Sequence, residues 1–545
     1  MKTFYSVLVL LFILHIQTYS QFAIEWENRT DGVYGNFDNS DFMKVDTDGN
    51  VFVAGRSRNS SFVEDAVLIK YSSSGDLLWQ KTENIGGYDL PIGIEFDDAG
   101  NCFFAFTGQS DTNSWGERDF ILMKYDSDGN EIFRKQLNYY VAIPGGQRNV
   151  LGHAKKMVKD GFNNLVLFGV GIASWFVKLD YQGEFTHKSN FELQLNPDLP
   201  YYDQLNIMFD PISNNHYAGF IKFNNTGPGY KSVFQMVKLN NAGEIEWEKQ
   251  FFEFPLMSMY ATVEGAEFRY DGGAIFSIDL HMASGPVGVV RDYPHLLSVN
   301  SGGEIIFDVE LPVLPGDNTE TTFCGTDLDQ GGNIWVTGDK DFKYFIARYS
   351  AAGEKLWEVM DTTLHKGLKV ACDGYTGTAV SMDATGNVYF KKYDFNGDLL
   401  ASHKVEGSSN IDGVTITDLT NDDNHNYYFL GNIGGNNQDL LTIKFYDEAT
   451  SVTEKTNPEG FKVFQNYPNP FNPSTKISFS LAEKSNVNIS VYDILGKEIT
   501  NLVSGDIEAG NHELSWNGTG FASGIYFCVI NINGSIETIK MALLK

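Results

Sequence analysis

The chain has 545 residues, including 54 Gly, 41 Phe, 27 Tyr and 15 Pro, with 20% charged residues and a formal charge of -30. Aromatic richness excludes a disordered chain, the acidic balance argues against nucleic acid and anionic membrane surfaces as partners, and four Cys do not make a disulfide scaffold. Abundant Gly and aromatics point to many strands joined by tight turns, and the length is either three or four domains or one long all-β unit.

The N-terminus reads as a secretory signal peptide over residues 1–20. Lys2 supplies the positive end, Val7 to Ile16 is an apolar run, and Thr18 and Ser20 place small residues before a cut ahead of Gln21. The run is shorter than the ~20 apolar residues that span a bilayer. No Cys lies near the cut to carry a lipid, and no other segment is apolar enough for a transmembrane helix.

A repeat organises residues 21–449. One element is apolar-apolar-Lys-aromatic, a polar turn with Gly, then an aromatic: Val67 to Trp79, Ile121 to Phe133, Phe176 to Phe185, Met236 to Trp247, Leu296 to Phe307, Phe345 to Trp357, Tyr389 to Leu400 and Leu441 to Glu448. The Lys-equivalent positions are 70, 124, 178, 238, 298, 348, 392 and 444, with Ser at 298 and Arg at 348. A second element precedes each: an Asp turn with Gly or Asn, then an apolar strand, as in Asp46 to Gly55, Asp97 to Phe106, Asp329 to Gly338 and Asp373 to Met382. More degenerate copies sit near Asp160, Asp210, Asp271 and Asp422. Asp and Asn cap the backbone of such turns, and Gly supplies the positive φ.

Each unit thus reads as four short strands, and four-stranded sheets at this spacing are β-propeller blades. The last unit lacks its Trp strand, which is found instead at Phe22 to Asn28, so pairing the two closes the ring. The fold class is all-β: a β-propeller, with eight blades favoured and seven the runner-up because the copies around Asp271 and Asp373 are weak, followed by a small Ig-like β-sandwich.

Residues 450–460 form a polar linker, and six or seven alternating strands follow in residues 461–545, as in a small β-sandwich. This tail carries Tyr467-Pro468-Asn469-Pro470-Phe471-Asn472-Pro473, then Val491-Tyr492-Asp493 with Leu495-Gly496-Lys497, Trp516-Asn517-Gly518, Ser523-Gly524-Ile525-Tyr526 and the final Lys540 to Lys545. These motifs, in order, resemble the type A C-terminal sorting domain of the type IX secretion system. The resemblance implies export by the Sec machinery and then by an outer-membrane translocon that reads the domain. The passenger is then released or attached to surface lipopolysaccharide. The sorting residues it implies are Pro468, Asn469, Pro470, Phe471, Asn472, Pro473, Tyr492, Asp493, Gly496, Gly524, Tyr526, Lys540 and Lys545. More loosely, the Asp-x-x-Gly-Asn and Lys-Tyr-x-x-x-Gly-x-x-x-Trp strands resemble the SBBP-type repeats of exported bacterial propellers, which implies a fold and little else. From Glu459 onward the chain holds eight acidic and six basic residues, so the acidity belongs to the propeller.

No catalytic constellation is visible. The ten His show no zinc spacing, and there is no Gly-x-Ser-x-Gly elbow. Asp46, Asp48 and Asn50 look like the start of a calcium loop, but the twelfth position is Ser57 and the setting is a hairpin. A turn cap is the first reading there and at Asp422 and Asp423, with calcium at some blade turns the alternative. The Gly-x-x-x-Trp strands are similar to the docking motifs of eight-bladed quinoprotein dehydrogenases, but the adjacent Cys pair of many of those enzymes is missing. Cys324 and Cys372 lie in comparable inner strands of neighbouring units, where a disulfide is conceivable. The expected function is a secreted or surface-bound binding or scaffold module with a glycan or protein ligand, no nucleic acid partner, no resident cofactor and no assigned catalytic residue. The alternative is a glycan-active or quinone-dependent enzyme working on the ring's central face.

Overall fold

The computed structural model describes residues 22–543 apart from 31–37, 60–62, 109–117, 144–145, 170–172, 194–204, 211–214, 225–230, 256–258, 270–271, 285–288, 312–320, 330, 374–375, 406–413, 423–425, 434–438, 448–460, 464–465, 467–470, 472, 482–483, 494–496, 523 and 534. The signal peptide and the linker expected from the sequence lie outside the described residues. Two compact units divide near residue 448.

In the first unit the repeat becomes eight four-stranded antiparallel sheets among the described residues. The first sheet is Asp38–Val45, Val51–Arg58, Glu64–Tyr71 and Leu77–Glu83, and six more follow in chain order. The eighth takes Val414–Asn421, Tyr427–Ile433 and Asp439–Asp447, and borrows its outer strand from Phe22–Thr30. Phe22 pairs with Asp447 and Thr30 with Leu440. Leading strands touch one another around the circuit: Asp38–Val45 on Leu90–Phe96, that on Ala154–Lys159, and Met259–Phe268 on Thr321–Leu328. The series continues through Lys366–Cys372 and Val414–Asn421 back to Asp38–Val45. The fourth sheet joins through shared cores, Phe168 and Phe176 with Ile207 and Val237 on one side, Tyr217 and Phe234 with Phe276 and Ile278 on the other. The circuit closes on itself, and the unit is a β-propeller, an arrangement that leaves only short sheet edges.

The Lys-Gly-Trp motif is the fastening between sheets. Lys70 and Trp79 are cross-strand partners in the first sheet. Both donate to the Ser127 carbonyl in the outer turn of the second sheet, Nζ at 3.1 Å and Nε1 at 3.2 Å. Lys238 and Trp247 reach the Ser301 carbonyl at 3.2 and 2.9 Å, and Arg348 and Trp357 reach that of Phe395 at 3.1 and 2.7 Å. Lys444 and Trp26 reach the Ser73 carbonyl, each at 3.1 Å, which joins the eighth sheet to the first. The indole lies on the Gly of the same turn: a Cβ at Gly129 would stand 2.9 Å from Trp79, and one at Gly75 2.5 Å from Trp26. Both glycines have φ near +80 to +88, so conformation and space each demand Gly there. The cations are buried (Lys70 is 4% exposed), a state that needs close partners. Carboxylates of the Asp turns supply them in several sheets: Lys124 to Asp97 at 2.7 Å, Lys178 to Asp160 at 2.9 Å, Arg348 to Asp329 at 2.6 Å and Lys392 to Asp373 at 3.1 Å.

The fifth sheet exchanges the two positions. Its inner turn starts at Arg269, where other sheets carry Asp, and its Lys position is Ser298. Arg269 donates to the Ser298 hydroxyl at 3.0 Å and to the Ala351 carbonyl in the next sheet's outer turn, also at 3.0 Å. The cation has moved strands and kept its target. Arg269→Ala is therefore expected to cost about 1.5–3 kcal/mol, as for a lost charged hydrogen bond. The double change Arg269→Asp, Ser298→Lys should recover most of it in thermal unfolding. A double variant no more stable than Arg269→Ala would contradict this account.

The second unit packs two sheets on one core. Phe461–Val463, Ser474–Leu481 and Gly510–Asn517 form the first, and Glu498–Ile507, Ser485–Asp493, Gly524–Ile532 and Ser535–Leu543 form the second, in that order. Alternate residues turn inward, as a half-buried strand requires: Ile477, Phe479 and Leu481 meet Val487, Ile489 and Val491, with Cys528, Ile530, Ile532 and Met541. All four Cys of the chain are free thiols, so Cys324 and Cys372 are not bridged.

Candidate functional site

In the second unit the sorting motifs expected from the sequence meet at one aromatic cluster. Trp516 is buried, with Phe471 at 5.2 Å, Tyr526 at 5.1 Å and Phe521 at 6.0 Å between ring centroids. Pro473 accepts from the Gly518 amide at 2.7 Å, and the Tyr526 hydroxyl donates to the Ala522 carbonyl at 2.8 Å. Phe471 also bridges in parallel to Leu543, so the Pro-rich segment and the last strand lie side by side there. Asp493 pairs with Tyr526, Tyr492 with Phe527, Lys540 with Phe527 on its other side, and Gly524 with Leu543. Tyr492, Asp493, Gly524, Tyr526 and Lys540 are thus held on neighbouring strands with Phe471 and Pro473 in the segment leading into Ser474–Leu481, whereas Pro468, Asn469, Pro470, Asn472, Gly496 and Lys545 lie outside the described residues.

In the first unit the topology separates two rims. Asp turns and Gly turns join first to second and third to fourth strands, so they share one rim; second-to-third turns and the connections between sheets share the other. At the Asp turns the carboxylates face their own backbone. Asp46 accepts the Asp48 amide at 2.9 Å and the Asn50 amide at 2.8 Å, and its second oxygen takes the Asn50 side chain at 2.8 Å. Asp97 and Asp422 repeat the Asn contacts. Among the described residues no three His, Cys, Asp or Glu side chains converge in a way that could hold a metal. The Asp repeat is turn chemistry in these places.

On the opposite rim Asp89 organises the connection from first to second sheet. Its carboxylate takes the Ile85 amide at 3.1 Å, while its own amide donates to the Glu64 carbonyl at 2.7 Å. Burial, aided by the neighbouring Asp65 and Glu83 charges, pushes its acid up to about 7 against the pull of the Ile85 amide and Arg118. The folded form therefore holds this proton more tightly than the unfolded chain. The resulting stabilisation is fully present below the unfolded value of 3.8 and is lost as pH rises through about 7. Asp89→Asn should raise the melting temperature at pH 8 relative to the parent and remove part of the fall between pH 4 and 7. An unchanged pH profile would contradict it.

The axis of the ring carries charge that no local motif announces. The leading strands are bulged, with register shifts at Ala154/Lys156, Val263/Gly265, Gly367/Lys369 and Ile416/Asp418 among others, a device that re-aims side chains. Lys156 of the third sheet interacts electrostatically with Glu267 of the fifth, Lys369 of the seventh and Asp418 of the eighth. Glu267 in turn interacts with Asp327 of the sixth sheet. Only side chains pointing at the common axis bring strands from opposite sides of the ring into such mutual range. Burial lowers the Lys156 ammonium and, with Asp327 nearby, raises the Glu267 acid well above its usual range. Asp327 and Asp418 are partly committed to backbone: Asp327 accepts the Cys372 amide at 2.6 Å, and Asp418 those of Leu419 and Met43. Lys44 is ion-paired to Glu95.

Comparison with known proteins bears mainly on the second unit. Residues 465–544 match the family model described as secretion system C-terminal sorting domain. No curated protein sequence matches the chain. Among solved structures, PorZ, a surface component of the type IX secretion system of Porphyromonas gingivalis, is 13% identical over 91% of this chain and 69% of its own, with a TM-score of 0.34. A puromycin hydrolase is 11% identical over 72% of this chain and 58% of its own, with a TM-score of 0.40. An ulvan lyase bound to its saccharide is 10% identical over 70% of this chain and 96% of its own, also at 0.40. Likenesses this distant carry no functional inference. The C-terminal unit is a type IX secretion sorting domain, which marks the chain for the cell surface or the medium. No helix among the described residues is long and apolar enough to cross a membrane.

Proposed function

We propose that this is an exported protein whose propeller, residues 21–449 with eight blades, acts as a binding or scaffold module at the cell surface, carried there by residues 461–545 across a linker at 450–460. The carrying observation is the sorting-domain match over 465–544, joined in one chain to a closed ring of sheets. In this reading the Sec machinery moves the chain across the inner membrane and the type IX translocon reads the tail. The sorting residues in this reading are Pro468, Asn469, Pro470, Phe471, Asn472, Pro473, Tyr492, Asp493, Gly496, Gly524, Tyr526, Lys540 and Lys545. Release, or attachment to surface lipopolysaccharide, follows. A propeller carried by fastened sheets offers a rigid ring to a glycan or protein ligand. The test is a glycan array and a surface pull-down with the purified mature chain, run beside hydrolase and redox assays. Saturable retention without turnover is expected, and turnover of a captured ligand would overturn the pure binding reading.

A further inference from the structure

Two histidines stand at the seam between the third and fourth sheets, in places where other sheets carry apolar or indole side chains. His187 is the cross-strand partner of Lys178, as Trp79 is of Lys70 and Trp247 of Lys238. It lies on the Gly of the fourth sheet's outer turn as those indoles lie on theirs, so that a Cβ at Gly243 would collide with its ring. His216 opens the fourth sheet's second strand and faces Leu239 across the ladder, as Val51 faces Tyr71, Leu165 faces Leu179 and Ile334 faces Tyr349 in their sheets. It is fully buried, and among the described residues neither of its ring nitrogens has a hydrogen-bond partner. Phe176 of the third sheet and Phe209 of its own each stand 5.3 Å away between centroids. Phe176 is also 5.9 Å from His187, so one phenyl ring touches both imidazoles.

We propose that this seam is an acid-sensitive switch in the ring: neutral His216 and His187 keep the third and fourth sheets packed, and their protonation parts the sheets there first. The shared core is apolar, Phe168 and Phe176 with Ile207 and Val237, and an unpaired imidazolium placed in it would lose its hydration. No carboxylate nearby is placed to answer that charge. Asp160 of the third sheet is taken by Lys178 and by the Asn164 amide, each at 2.9 Å. On the fourth sheet Asp210 precedes the turn, buried and engaged, and Lys238 beside Leu239 is held by Glu246 at 2.9 Å. Burial, with the Lys178 charge, lowers His216 from 6.5 to about 3 against the pull of Asp160. Burial and Lys178 lower His187 as well, against Glu244 and the Gly243 carbonyl. The folded form thus holds the His216 proton more weakly than the unfolded chain does. The stability it allows is fully present above 6.5 and is lost as pH falls towards about 3. The fastening at this seam is also made by a side chain, since Lys178 donates to the Asn241 side-chain oxygen at 2.8 Å where Lys70 and Lys238 reach backbone carbonyls.

The experiment is calorimetry of the purified mature chain and of His216→Leu at a series of pH values from about 7.5 down to about 5, a range that crosses the ordinary histidine value. Leucine is the residue at the equivalent place in the third sheet, Leu165. Whatever the offset between the two proteins at the upper end, the gap in their unfolding constants should widen in the variant's favour by about tenfold per pH unit below the ordinary histidine value. The opposite pH effect of Asp89 is common to both proteins and cancels in that comparison. A gap that stays constant across the range would overturn the switch. Should the variant fail to fold, amide exchange of the parent at the two ends of the range decides, once corrected for its intrinsic pH dependence. At the acid end protection should fall first in the strands between Ala154 and Leu239. An even loss around the ring, or a loss that begins in other sheets, would overturn the proposal.

Discussion

A chain lacking Phe22–Thr30 will lose the single cooperative melt of the propeller and become a ready substrate for proteases. Among the described residues that strand joins the two ends of the ring in one sheet, pairing from Phe22 with Asp447 to Thr30 with Leu440. Without it Asp439–Asp447 becomes an open edge, exposed to pairing with other chains. Trp26 and Lys444 would no longer jointly hold the Ser73 carbonyl of the first sheet. The milder Trp26→Ala variant isolates the fastening from the strand. Trp26 is nearly buried, on Gly75 and 5.9 Å from Tyr71 between centroids, so about 3–5 kcal/mol should be lost. Differential scanning calorimetry reads both variants. A truncated chain that melts as one transition at the parent temperature would contradict ring closure by the N-terminal strand.

Trp516→Ala should unfold the second unit and leave the first intact. Trp516 is 3% exposed and is the common neighbour of Phe471, Phe521 and Tyr526, and it stands between the Pro-rich segment and the strand Gly524–Ile532 that carries Tyr526. Its truncation opens a large cavity in a unit of under a hundred residues and should cost about 3–5 kcal/mol, a large share of such a unit's stability. Calorimetry should lose the tail's transition while the propeller's stays in place, and cell fractionation should find the protein retained inside the outer membrane. Unchanged delivery with a melted tail would mean that the translocon reads linear sequence alone and that the aromatic cluster has no part in sorting.

The repeat was legible because each sheet needs the same fastening. Lys, Gly and Trp recur at fixed spacing since one carbonyl must be reached from two strands over a residue with no side chain, as at Lys70, Trp79 and Gly129. The weak copy near Asp271 marks the place where the cation crossed to Arg269, which a strand-by-strand pattern at Ser298 cannot register. The first inner strand starts at Asp38, because pairing with Ser57 extends the ladder past the bulge at Ser40/Phe42. The tail's motifs were legible for a different reason: Trp516 and Tyr526 pack on one another within a short stretch of chain. The axial charges were not legible. Lys156, Glu267 and Lys369 are more than a hundred residues apart in sequence, and the bulges set which position of each strand faces the axis. At Asp46, where a turn cap is the first reading, the carboxylate oxygens face the turn's own amides.

The most direct measurement of the account is protease accessibility of the protein on intact cells, comparing the full chain with one that ends before residue 461. The full chain should be cleaved by added protease or recovered from the medium, and the truncated one should fold as a propeller yet remain protected until the outer membrane is broken. Equal surface exposure of the two would contradict a propeller delivered by its C-terminal domain.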